Sequence, residues 1–148
     1  MPLPRPLVGS GEPHFSFAGL KSAVQRAVAT GKHKPADIAA SFMGAMIDCM
    51  VDRTALALQG SDAPTLVVAG GVAANRSLRS ALAELAETHG RAFSVPPAWL
   101  CTDNAAMIGW AGAERLAAGL IDGLDAPARA RWPLDEAAER VRGAGVKA

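Results

Sequence analysis

The chain has 148 residues, of which 50% are hydrophobic and 20% charged, with a net charge of +1 at neutral pH. Such figures describe one globular domain of ordinary size with a core of its own, and they exclude a low-complexity chain or a strong polyelectrolyte. Tyrosine is absent and aromatic residues make up 5%, so the core has to be aliphatic, built from Ala, Leu, Val and Met.

The charge is unevenly spread. Arg5, Lys21, Arg26, Lys32 and Lys34 stand against Glu12 alone in residues 1–36, and the remainder is slightly acidic. A basic end meets polyanions, but this sum is too small to claim one, and a solvated surface explains it equally well. Cys49 and Cys101 form neither a CxxC pair nor a zinc spacing and read as reduced, buried thiols. Met1-Pro-Leu-Pro-Arg-Pro6 has no apolar segment of the kind a signal peptide needs, and no apolar run reaches the length of a membrane span. The expectation is a cytoplasmic protein with no membrane partner.

Residues 1–14, with Pro2, Pro4, Pro6, Pro13, Gly9 and Gly11, read as an extended Pro-rich leader, either a strap over another domain or a loose end. Residues 14–17 alternate polar and apolar and suit a short strand or a turn. Leu20, Val24 and Val28 then recur four apart and predict a helix over 19–29. Pro35 fits the first position of a second helix. Ile38, Phe42, Ala45, Met46, Cys49 and Met50 carry that helix to about Leu58, before Gln59-Gly-Ser-Asp62 ends it.

Residues 65–69, Thr-Leu-Val-Val-Ala, are β-branched and apolar throughout, as buried parallel strands are. Gly70-Gly71 breaks the run. A third helix carries Leu78, Leu82 and Leu85 on one face and ends near His89-Gly90. Residues 92–95 read as a second strand, stopped by Pro96-Pro97. A fourth helix starts near Thr102 and runs through Ile108, Ala111 and Leu116 toward Gly119, and Trp132 and Pro133 in the tail are expected to pack on the body. Strand, glycine turn, helix, strand, helix is the grammar of an α/β domain with a parallel sheet, and no domain boundary is visible inside 15–120.

Two places carry chemistry. The turn Leu66-Val-Val-Ala-Gly-Gly-Val-Ala-Ala-Asn-Arg76 removes side chains where a ligand can approach and leads to a helix start with free N–H groups, a common nucleotide site, although it matches neither GxGxxG nor a Walker sequence. Asn75 shares the face of Leu78, Leu82 and Leu85 at the end nearest the turn. It is either a substrate contact, since its amide both donates and accepts, or a helix cap. In Leu100-Cys-Thr-Asp-Asn104, Thr102 or Asp103 is a candidate N-cap. The alternative for Asp103 is a metal ligand, because a carboxylate at a helix start stays ionised and binds divalent cations. His14, His33 and His89 are scattered, with no i, i+4 pair on a helix, so the chain offers one carboxylate and not a complete site.

Taken together, Phe15-Ser-Phe-Ala-Gly-Leu-Lys-Ser-Ala-Val24, Val68-Ala-Gly-Gly-Val-Ala-Ala-Asn-Arg76 and Cys101-Thr-Asp-Asn-Ala-Ala-Met-Ile108 resemble, in order and spacing, the TsaD family of tRNA N6-adenosine threonylcarbamoyltransferases, formerly called glycoproteases. The resemblance implies an actin-like ATPase fold of two α/β lobes, related to sugar kinases and heat-shock chaperones. Residues 15–148 match the C-terminal lobe, with a mostly parallel sheet and flanking helices. It also implies the activity: transfer of a threonylcarbamoyl group from threonylcarbamoyl-adenylate to N6 of an adenosine in tRNA, with TsaB- and TsaE-like subunits as partners. The family's metal, usually Fe2+, is held by a histidine pair and an aspartate. Asp103 matches the aspartate, and Asn75 matches a substrate-binding asparagine.

Two departures stand out. Ala18 occupies a position that is usually Ser, and the N-terminal lobe that carries the histidine pair lies outside this sequence. The expectation is therefore an acyltransferase lobe that is inactive alone, and the alternative is a non-catalytic interaction module. A peptidase reading has no support, since a zinc-protease helix needs HExxH and none occurs. Lys21 is either a phosphate or tRNA contact or a solvated lysine.

Overall fold

The structure is a computed structural model in which residues 1–127 are described; Trp132 and Pro133 lie outside them. Four α-helices and two strands follow in order along these residues: α1 (Ala18–Ala29), α2 (Pro35–Gln59), β1 (Thr65–Val67), α3 (Arg76–Thr88), β2 (Ala92–Ser94) and α4 (Ala105–Ala117). A first compact unit comprises Met1–Met107, and a second begins at Ile108.

The expected α/β grammar appears in the first unit as a two-stranded parallel sheet, with Thr65 paired to Ala92, Leu66 to Phe93 and Val67 to Ser94. Single bonds extend the ladder at both ends, Ala92 N to the Pro64 carbonyl at 2.9 Å and Val68 N to the Ser94 carbonyl at 3.0 Å. Each strand is shorter than the run that forms it; after β1, Gly70 takes φ 84° and turns the chain away.

Helix α3 joins the two strands and packs on β2 and α2. It buries Leu78, Leu82 and Ala86. Ala86 thus takes the inner position expected of Leu85, which is only half-buried. The helix closes in a Schellman motif: Arg91 N reaches the Ala86 carbonyl and Gly90 N the Glu87 carbonyl, both at 2.9 Å. Gly90 supplies the positive φ of 63° that this end requires.

Helix α2 has Pro35 at its first turn, as expected, with Asp37 beside it to complement the helix dipole. It packs against both α1 and α3. Between α1 and α2 lies the cluster of Leu3, Leu20 and Ala45, with Phe17, Val24, Phe42 and Met46 packed around it.

The leader is not a loose end: it lies along α2. Leu3 is buried in the cluster just named. Arg5 Nε donates to Asp48 at 2.5 Å, and Gly9 N donates to Asp52 at 3.3 Å. Arg53, 2% exposed, reaches out of α2 to the leader backbone. Its guanidinium donates to the Ser10 carbonyl at 2.8 Å, the Ser10 hydroxyl at 2.8 Å and the Glu12 carbonyl at 2.7 Å, and it also meets Asp52. The leader's own carbonyls therefore find a charged donor in place of a sheet partner. Residues 14–17, expected as a strand or turn, are irregular.

In the second unit, α4 ends at Ala117, Gly119 follows with φ 73°, and Leu120 N bonds the Arg115 carbonyl at 2.9 Å. Arg115 also pairs with Asp122 at 3.1 Å. No helix among the described residues is long and apolar enough to cross a membrane.

Candidate functional site

The C-terminal ends of two adjacent parallel strands are where open α/β sheets place ligands. Here β1 runs into Gly70-Gly71 and then a 3-10 turn, Gly71–Ala74, while β2 runs into Pro96 and a second 3-10 turn, Ala98–Leu100. The two exits enclose a cleft of about 620 Å3 lined by Gly70, Gly71, Pro96, Cys101, Thr102 and Asp103, among others. Gly70 combines φ 84° with ψ 176°, a conformation that L side chains rarely adopt. A Cβ at Gly70 or Gly71 meets nothing within 4 Å, so the space beside these residues is open and not a crowded packing position.

Asp103 lies at the mouth of this cleft and is exposed. The cap of α4 falls to its neighbour: Asn104 Oδ1 accepts from Met107 N at 3.1 Å, and Asn104 Nδ2 donates to the Thr102 carbonyl at 2.9 Å. The expectation of Thr102 or Asp103 as N-cap is corrected, because the helix begins later, at Ala105. Among the described residues no hydrogen bond or ion pair engages the Asp103 carboxylate. Cys101 sits two residues before it, 2% exposed, with Sγ donating to the Pro96 carbonyl at 3.6 Å. That is the buried, reduced thiol expected from sequence.

Asn75 faces the other way. Its Oδ1 accepts from Leu78 N at 3.0 Å and caps α3. Its Nδ2 donates to Met43 Sδ at 3.0 Å. The residue lines a second, strongly apolar cavity of about 630 Å3, walled by Phe15, Phe17, Met43, Met46 and Val72. The rings of Phe15 and Phe17 stack 6.4 Å apart at 10°. Gly71 lines both spaces, while Asn75 and Asp103 each line only one of them.

The remaining candidates are dispersed. Lys21 borders a smaller space with Gln25 and Phe42, apart from the Asp103 cleft. His33 lines a cavity with Ile38 and Phe42, and His89 Nδ1 lies 2.9 Å from the Leu85 carbonyl. Among the described residues no group of three His, Cys, Asp or Glu side chains is arranged to hold a metal ion. An exposed carboxylate free of capping duty can serve as one ligand of a divalent ion, and among the described residues nothing completes such a set. The aromatic and methionine wall beside Asn75 was not singled out from the sequence. Its signal was present in Met43, Met46 and Met50, which recur at helical spacing on α2.

A family profile described as TsaD, tRNA N6-adenosine threonylcarbamoyltransferase, matches residues 1–110, a span that includes both the glycine turn and Asp103. The chain belongs to the TsaD family. Curated relatives named tRNA N6-adenosine threonylcarbamoyltransferase include one from Novosphingobium aromaticivorans, 69% identical over all of this chain and 43% of its own length. Another, from Sphingopyxis alaskensis, is 67% identical with the same coverage. A more distant relative from Rhizobium meliloti is 51% identical over 96% of this chain and 43% of its own length. This TsaD chain therefore spans less than half the length of the relatives it matches, and its two candidate site residues lie within the matched span.

Proposed function

We propose that this chain is the part of a threonylcarbamoyltransferase that supplies one metal ligand, Asp103, and one substrate contact, Asn75. In that reading it forms the C-terminal lobe of an actin-like two-lobed protein. The observation that carries the proposal is the placement of Asp103 across one cleft from Gly70-Gly71 at the exits of both strands, in a chain whose family match spans residues 1–110.

The transferred group arrives activated as a mixed anhydride with adenylate, so attack by N6 of adenosine needs no covalent enzyme nucleophile. What it needs is alignment of the two reactants and stabilisation of charge on the carbamoyl oxygen. A bound Fe2+ supplies that stabilisation as a Lewis acid. Asp103 would hold its share of the ion through a carboxylate that its helix does not consume. The Gly70 turn leaves room for the nucleotide, and Asn75, in the neighbouring cavity, offers its amide NH2 once Met43 Sδ yields it. The missing histidine ligands, tRNA, the adenylate and TsaB- and TsaE-like subunits complete the system, which works in the cytoplasm.

The second reading, a non-catalytic interaction module, draws on the lack of a three-residue ligand group among the described residues. A transfer assay separates the two. The chain, supplied with the N-terminal portion of the Novosphingobium relative, is expected to modify tRNA from threonylcarbamoyl-adenylate, and Asp103→Ala is expected to abolish this. A complex that assembles but transfers nothing under iron-replete conditions supports the interaction module.

A further inference from the structure

The leader and the Asn75 cavity meet at one short stretch of backbone. Upstream, Arg53 grips the leader at Ser10 and Glu12 through donations of 2.7 to 2.8 Å, and Asp52 holds Gly9 N at 3.3 Å. Downstream, α1 begins at Ala18. Between these fixed points run Pro13 to Phe17, which have no strand partner. Phe15 and Phe17 project from this span as the stacked aromatic wall of the cavity that Asn75 lines. Phe15 is 51% exposed, so packing alone does not fix it. Phe17 leans on the Leu3 cluster, which is again leader.

Arg53 is the buried charged side chain of the described residues, 2% exposed. A guanidinium in that position is costly to bury and persists where several acceptors meet it. Here three of its acceptors are the leader's own atoms, and they are spaced so that one side chain fixes the path of residues 10–12. A short span held at both ends keeps its aromatic rings in place; released at one end, it gains the conformational freedom of an ordinary loop.

We infer that Arg53 is a positioning residue: through its grip on Ser10 and Glu12 it makes the leader a strap that sets the Phe15–Phe17 wall of the Asn75 cavity. The inference stands whatever that cavity binds, so it can fail without touching the transferase reading. It also predicts that anything drawing the leader off α2 opens the cavity, because both depend on the same hydrogen bonds.

The test is 19F NMR of the chain with fluorophenylalanine at its four phenylalanines, Phe15, Phe17, Phe42 and Phe93, each resonance assigned by single replacement with Leu. Phe93 pairs with Leu66 in the sheet and reports global folding. In Arg53→Met and Asp52→Ala the Phe15 signal is expected to move toward the free amino-acid position and sharpen. Phe17 follows by a smaller shift, Phe93 stays in place, and Arg53→Lys restores part of the change. If Arg53→Met does not fold, Arg53→Lys decides in its place, since it keeps the buried charge and loses part of the fork that reaches Ser10 and Glu12. Unmoved Phe15 and Phe17 signals beside an unmoved Phe93 would overturn the inference, and so would a uniform shift of all four in Asp52→Ala.

Discussion

Asn104 Oδ1 accepts the Met107 amide at 3.1 Å, and this bond decides how Asp103 has to be read. A single residue caps a helix start. Because Asn104 does so for α4, the neighbouring carboxylate is left over at the cleft, exposed and unengaged among the described residues. The bland explanation for an aspartate at this place in the chain is thereby taken by another side chain.

The two residues should accordingly separate in stability measurements. Asn104→Ala removes the cap and is expected to cost about 1 kcal/mol, whereas Asp103→Ala should stay within about 0.5 kcal/mol of wild type, as exposed substitutions do. Urea denaturation of both variants checks this, and an equal cost would return Asp103 to a structural role.

Asn75 needs the opposite treatment, because it caps α3 and faces a cavity at once. Asn75→Ala is expected to lose about 1 kcal/mol from the cap alone, so weaker substrate binding in that variant would be ambiguous. Asn75→Asp keeps an acceptor for Leu78 N and removes the amide NH2. We expect it to hold stability within about 0.5 kcal/mol, since Asp and Asn are near-equal caps, while losing binding of an adenylate analogue. Thermal unfolding and calorimetric titration on the same sample provide the check.

Gly70→Ala tests the turn. With φ at 84° and ψ at 176°, any side chain is strained there although no neighbour obstructs it. The expected cost is about 1–3 kcal/mol, and by the same logic Gly71→Ala, with no positive φ, should cost less. Comparing the two unfolding midpoints distinguishes backbone strain from a steric effect.

Burial raises the pKa of Cys49 above the ordinary thiol value of 9.0, and neighbouring Asp48 and Asp52 act in the same direction, while Arg5 and Arg53 oppose them. The unfolded thiol ionises near 9.0 while the folded one remains protonated. Above that pH the folded state therefore holds more protons, and stability falls as pH rises. Urea denaturation at pH 7 and pH 10 under reducing conditions should show this loss, and Cys49→Ala should reduce it.

Most of the fold was legible because local signals agreed with one another. Pro35 at a helix start, the Leu78–Leu82 spacing and the Gly90 stop each determine structure within a few residues. What escaped was long-range. Nothing local says that Arg53 will turn back to Ser10 and Glu12, because that contact spans about forty positions and depends on the leader's path. The α4 boundary was misplaced because Thr102, Asp103 and Asn104 are all competent caps, and tertiary context selects among them. The separation of Asn75 from Asp103 was hidden for the same reason: a turn places side chains on two faces, and sequence spacing does not say which face opens to which space.

The central claim is that Asp103 completes a metal site begun elsewhere. Its most direct test is the iron content of this chain combined with the N-terminal portion of the Novosphingobium relative, compared between wild type, Asn104→Ala and Asp103→Ala. Wild type and Asn104→Ala are expected to retain iron through gel filtration and Asp103→Ala to lose most of it, with affinity reduced at least about tenfold, as loss of a single ligand or its support does. Equal iron in all three complexes would contradict it.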